Sequence, residues 1–172
     1  GNYETPLGEV QVNRQIAQEL IDGSKYFSYV QEAHNTEHSL EVQLPFLQYK
    51  MQNTFQIVPI VIGTQSKEVC EKLANILKPY FNDNNLFVIS SDFSHYPNYE
   101  DANYWDAKTA EAIISNSQDK FLEAINDKND DNVRNLATRC CGWSSILTLL
   151  NLTKEDTAFK YFNVTYQNSG DT

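Results

Sequence analysis

Three short stretches of this sequence hold side chains able to do chemistry. The first is Ser90-Ser91-Asp92-Phe93-Ser94-His95, where two hydroxyls, a carboxylate and an imidazole fall within six residues. Asp92 could bind a metal, act as a base, or orient His95. His95 could serve as a ligand or a proton shuttle. An equally ordinary reading makes Asp92 a turn cap and His95 a loop residue, since Asp and Ser are common turn formers. The second stretch is Glu37-His38-Ser39-Leu40-Glu41, with His34 upstream. His34 and His38 would share a helix face if that turn is helical, and a pair so spaced can hold a transition metal. His38 and Glu41 also share a face; the bland alternative is a solvated helix start with acidic residues favoured by the helix dipole. The third is Cys140-Cys141-Gly142-Trp143. A thiol at a helix N-terminus is more readily a thiolate, hence a better ligand or nucleophile. Free cysteine is more often a small buried apolar residue, which suits Cys70 on the inner side of a helix.

Several chemistries are excluded. There is no Gly-x-Ser-x-Gly, so a serine hydrolase is unsupported. With six glycines in all, there is no phosphate-cradling loop. The 13 Lys and Arg against 23 Asp and Glu give a net charge of −10, which repels phosphate backbones and argues against nucleic acid. No apolar run is long enough to span a bilayer. The N-terminus carries no basic head or apolar stretch of a signal peptide, and it lacks methionine, as a processed or excised chain would. The three cysteines make no disulfide framework, and adjacent Cys140 and Cys141 would bridge only with strain. A reducing compartment, the cytoplasm, is the expectation. Asn151-Leu152-Thr153 and Asn163-Val164-Thr165 match glycosylation triplets, which are common by chance.

The elements that must position these residues follow from periodicity and punctuation. Length 172 and 41% hydrophobic content suit one α/β domain over residues 1–172. Pro6 and Gly8 mark a turn. Asn13 caps a helix ending at Gly23, with Ile16, Leu20 and Ile21 inward. Residues 26–30 read as an edge strand or loop. Residues 38–51 have helical apolar spacing, with Pro45 as a kink or first turn. Residues 55–63 and 86–91 read as buried parallel strands flanking a helix capped by Ser66, a right-handed β-α-β unit, with Pro59 pointing to a bulge or edge. Helices are expected over 98–115, 119–126 and 141–152, a polar loop over 127–131, and a third strand over 157–166. Trp105 and Trp143 read as packing residues. In open parallel sheets ligands bind at the carboxyl ends of strands, which places the Ser90 to His95 run at the site.

Together, Glu4-Thr5-Pro6-Leu7-Gly8, the run from Glu37 to Leu47, Ser90-Ser91-Asp92-Phe93-Ser94-His95-Tyr96, Cys141-Gly142 and Asn168-Ser169-Gly170-Asp171 resemble, in this order, the Memo family. Its bacterial and archaeal members are also called AmmeMemoRadiSam system protein B. The resemblance covers essentially the whole chain. It implies a mainly parallel sheet flanked by helices, similar to class III (LigB-type) extradiol dioxygenases, incomplete here at both ends. It implies a metal cleft lined by Asp92 and His95 as catalytic groups, with Asp92, His95 and Cys141 as metal ligands and His38 and Glu41 supporting the cleft. Two further ligand histidines of the family, in Pro-His-Ala-Gly and Gly-Pro-Ser-His type motifs, lie before the start of this sequence, and the family's final strand lies beyond Asp171. The implied cofactor is a divalent or redox metal, iron ahead of copper or zinc. The implied function is a metal-binding protein with iron- or copper-dependent, dioxygenase-like redox activity. The alternative is a non-catalytic binding or scaffold protein on a relic metalloenzyme fold. A thiolate departs from ordinary extradiol chemistry, which uses two His and one carboxylate. The expected partner is a small molecule or peptide in the cleft. The family name also suggests a radical-SAM system partner, although the chain has no Cys-x-x-x-Cys-x-x-Cys motif.

Overall fold

A computed structural model describes residues 1–127, 133–154 and 156–171. The chain divides into two compact units, residues 1–63 and 64–172. Among the described residues there are seven α-helices and one three-stranded sheet, an α/β composition. Among the described residues, no helix is long and apolar enough to cross a membrane.

In the first unit, β1 (Tyr3–Thr5) runs antiparallel to β2 (Gly8–Val12), with Tyr3 opposite Val10 and Thr5 opposite Gly8. The connecting turn needs a positive φ, and Gly8 supplies it at +111°. β2 then pairs in parallel with β3 (Gln56–Ile57) through Gln11↔Gln56 and Val12↔Ile57. Helix α1 (Arg14–Gly23) starts where Asn13 Oδ1 accepts the Ile16 N–H, and it buries Leu20. Residues 26–30 form a loop, not a strand. A short helix α2 (Gln31–Asn35) and a 3-10 turn (Glu41–Gln43) precede α3 (Leu44–Met51). Pro45 lies in the first turn of α3, where its missing N–H has no helical partner to lose.

The second unit is built on helices. α4 (Lys67–Leu77), capped by Ser66 Oγ, buries Cys70, Leu73, Ala74 and Leu77 against α7 (Trp143–Thr153). α5 (Tyr99–Ile114), capped by Asn98, packs on α6 (Gln118–Ile125), capped by Ser117. Cys70, Ala112, Phe121, Cys140, Ile146, Leu147 and Leu150 form the core.

The three long strands expected from the sequence need correction. Of residues 55–63 only Gln56 and Ile57 enter a ladder. Pro59 follows almost at once and cannot donate to one. Residues 86–91 have no ladder partner, so the β-α-β unit is not formed among the described residues. This segment is one-sided: Phe87 and Ile89 are partly covered, while Leu86 is 69% and Val88 44% exposed. Residues 157–166 likewise lack a ladder, with Phe162 and Val164 exposed and Tyr161 packed on the core. β-Propensity favours an extended chain, but pairing is a tertiary event that a single segment does not dictate. The sheet is therefore small and mixed, not mainly parallel. The final helix begins at Trp143, two residues later than expected, with Gly142 as its cap. Most of the expected polar loop at 127–131 lies outside the described residues.

Candidate metal centre

Two backbone segments of the second unit are stitched together. The His95 N–H donates to Thr138 O at 2.9 Å, and the Ala137 N–H returns to His95 O at 3.1 Å. Four residues on, the Cys141 N–H donates to Asp92 O at 3.3 Å, while the Asp92 N–H points at Cys141 Sγ, also at 3.3 Å. The Gly142 N–H donates to Ser91 Oγ at 2.9 Å. Segment 137–141 is itself fixed from below. The buried Arg139 guanidinium lies 3.6 Å from the Trp105 ring centroid and donates to the carbonyls of Ala124 and Asp127.

This stitching brings Asp92, His95 and Cys141 together. One carboxylate oxygen, one imidazole nitrogen and the thiol sulfur all lie within 4.8 Å of one another. His95 Nε2 stands 3.4 Å from Asp92 Oδ2, yet it is a buried atom with no hydrogen-bond partner among the described residues. A contact that long and poorly aimed does not satisfy it. A buried nitrogen normally has a partner, and the described residues supply none here. The mixed nitrogen, oxygen and sulfur donor set, open to solvent on the Asp92 and Cys141 side, fits a transition metal. Tyr96, directly after His95, holds φ at +70°, a left-handed conformation that a bulky residue adopts only under constraint.

The structure separates the two neighbouring thiols. Cys140 is buried in the core against Ser91 Oγ at 3.2 Å, and burial pushes its pKa up to about 11, so it stays a neutral thiol. Cys141 is exposed and faces the Asp92 turn. Burial likewise raises the Cys70 thiol, consistent with packing alone. In the first unit, α2 ends at Asn35, so His34 and His38 do not share a helix face. His34 lies beside the Tyr3 hydroxyl at 3.4 Å and stacks on Tyr29. His38 Nδ1 pairs with Glu41 Oε1 at 2.9 Å, and both side chains are exposed. Among the described residues, the Asp92, His95 and Cys141 group is the one cluster of three suited to a metal.

Sequence reasoning missed Asp106. Its carboxylate is buried at 4% exposure, accepts the Ser94 N–H at 2.9 Å through Oδ1 and accepts the Tyr166 hydroxyl at 2.7 Å through Oδ2. The available signal was its place on the inner stripe of α5, between Ala102, Trp105 and Thr109, where an unpaired charge would be costly.

Gly142 is required by close approach. A Cβ there would sit 2.7 Å from Ser91 Cβ and 3.0 Å from Ser90 O. Gly142→Ala is expected to force segments 90–91 and 141–142 apart and to cost about 1–3 kcal/mol, read as a lowered urea midpoint.

An imidazole, a carboxylate and a thiol thus converge from two stitched loops into a donor group that could hold one metal ion, on an α/β scaffold. The family model for Memo-like protein matches residues 1–172, and the chain belongs to that family. It is 35% identical to a MEMO1 family protein of Thermoplasma volcanium, over 99% of this chain and 60% of that protein. It is 37% identical to a MEMO1 family protein of Methanobrevibacter smithii, over 99% of this chain and 58% of that protein. A MEMO1 family protein of Thermoplasma acidophilum is 32% identical over 99% of this chain and 60% of its own length. The chain thus spans about three fifths of the relatives it matches. No solved structure matches it.

Proposed function

We propose that this chain supplies the Asp92, His95 and Cys141 ligands of a metal site, iron ahead of copper or zinc, and that the site serves dioxygenase-like redox chemistry on a small molecule. The observation that carries the metal reading is the convergence of three donor atoms within 4.8 Å around a buried, unpartnered His95 Nε2. A redox-active ion with open positions would bring substrate and oxygen together and exchange electrons between them. The chain's own groups hold and orient. His95 offers Nε2, with its backbone locked to Thr138. Cys141 offers sulfur held over the Asp92 turn by the Asp92 N–H. Asp92, at 82% side-chain exposure, can swing between binding the ion and meeting substrate. The LigB-like fold and the cleft-supporting roles of His38 and Glu41 rest on the resemblance.

The test is anaerobic titration of the full-length protein with Co(II), then loading with Fe(II) and recording oxygen uptake. One ion per chain with a thiolate-to-cobalt charge-transfer band is expected, followed by oxygen uptake by the iron form. Absence of the band or of stoichiometric binding would overturn the metal reading. Binding of iron without oxygen uptake would overturn the redox reading alone.

A further inference from the structure

Asp106 lies outside the proposed donor set, yet it holds the turn that carries two of its members. The turn at 92–95 is anchored along one edge by segment 137–141, through Asp92 and His95. Between those fixed ends sits Ser94, whose Oγ is buried with no hydrogen-bond partner among the described residues. The Ser94 residue is therefore held by its N–H bond to Asp106 Oδ1 at 2.9 Å. Phe93 packs on the core beneath. The second oxygen of Asp106 accepts from Tyr166, and burial pushes that phenol up against the opposing pull of Asn168, so it keeps its proton to donate. Tyr166 in turn accepts from Asn168 Nδ2 at 3.1 Å. The Asn168 N–H donates to Asp171 Oδ2, and the Tyr99 hydroxyl donates to Asp171 Oδ1, both at 2.7 Å. Gly170 lies so close to the Tyr99 ring that a Cβ would not fit. The Asn168-Ser169-Gly170-Asp171 motif thus closes a chain of hydrogen bonds that starts at the site turn.

We infer that Asp106 is a positioning residue: by gripping the Ser94 N–H and the Tyr166 hydroxyl it aims Asp92 and His95 at the Cys141 sulfur, and it links the metal turn to the 168–171 turn. This rests on the metal reading above. Groups that orient ligands without touching the ion typically govern affinity by roughly 10–100-fold. The buried carboxylate uses both oxygens, one per partner, so it fixes both distance and rotation of the turn.

The test compares anaerobic Co(II) affinity, the cobalt absorption spectrum and the thermal midpoint in Asp106→Ala, Asp106→Asn and Tyr166→Phe full-length protein. Leu73→Ala serves as a control destabilised on α4, and His95→Ala and Cys141→Ala as ligand controls. Asp106→Ala is expected to weaken Co(II) roughly 10–100-fold and to alter the spectrum. Asp106→Asn keeps an acceptor for Ser94 and is expected to recover most of the affinity. Tyr166→Phe, which is nearly isosteric, should lose several-fold and remains informative if Asp106→Ala fails to fold. Leu73→Ala should lower the midpoint with unchanged affinity and spectrum. Wild-type cobalt binding in both Asp106→Asn and Tyr166→Phe, with Asp106→Ala either unfolded or also wild-type, would overturn the inference while the ligand controls still lose metal. Affinity losses that follow the midpoint in every variant, with Leu73→Ala losing cobalt as well, would overturn it too. Retention of cobalt by His95→Ala and Cys141→Ala would instead overturn the metal reading on which it rests.

Discussion

Cys141→Ala is expected to weaken Co(II) binding by the full-length protein more than about 100-fold, since losing a direct donor should exceed the loss from a neighbouring support. That factor corresponds to about 2.8 kcal/mol of binding free energy. The thiol-to-cobalt absorption band should vanish with it, and Cys141→Ser should lose the band as well. The exposed position of Cys141 separates this effect from unfolding. Surface side chains away from the core usually change stability by no more than about 0.5 kcal/mol, so the variant should melt close to wild type. The neighbouring residue gives the sharper contrast. Cys140 Sγ is buried beside Ser91, inside the core, and burial holds it protonated. Cys140→Ala should therefore lower the melting midpoint and leave the cobalt band in place. Isothermal titration and absorption spectroscopy on the two single variants decide the assignment, and a band that survives Cys141→Ala but not Cys140→Ala would reverse it.

The longer helices of this protein are legible because their signals are local, whereas the five-residue α2 was not expected. Asn13, Ser66 and Asn98 each stand before an apolar stripe, and each side chain accepts the N–H three residues on. The strands were not legible for the opposite reason. Residues 86–89 have the apolar composition of a buried strand, and their alternation is real, yet only one side is covered and no neighbour among the described residues completes a ladder. Residues 157–166 do not alternate: Tyr161 and Tyr166 are partly covered while Phe159, Phe162 and Val164 are exposed, and Tyr161 is held by the Thr153 hydroxyl and the core, not by a sheet. At the site, residue types alone put Asp92, His95 and a thiol among the candidates, beside His34, His38 and Glu41. They did not say which of two adjacent thiols would face the turn, because that depends on Gly142 packing against Ser91. Asp106 and Tyr166 meet across 60 positions of sequence, a pairing that no local pattern encodes.

Phe121→Ala is expected to destabilise the second unit by about 3–5 kcal/mol, the usual cost of emptying a large buried aromatic site. That is a large share of the roughly 5–15 kcal/mol that holds an ordinary domain folded. Phe121 is fully buried on α6. At eight residues, α6 is too short to persist without tertiary contacts. Its ring shares one cluster with Ala112 of α5, with Ile146, Leu147 and Leu150 of α7, and with Cys140. The cavity would therefore open beneath three helices and beside the segment that carries Cys141, where neighbours already at close-packed density collapse only in part. The measurement is clean because both tryptophans of the chain, Trp105 and Trp143, belong to this unit. Their fluorescence during urea unfolding reports it without contribution from residues 1–63. A lowered midpoint with an unchanged slope is the expected signature of lost stability. Phe121→Leu should lose less, because it refills part of the space. An unchanged midpoint in Phe121→Ala would mean that α6 does not close this core, and the support assigned to the Cys140 and Cys141 segment would fall with it.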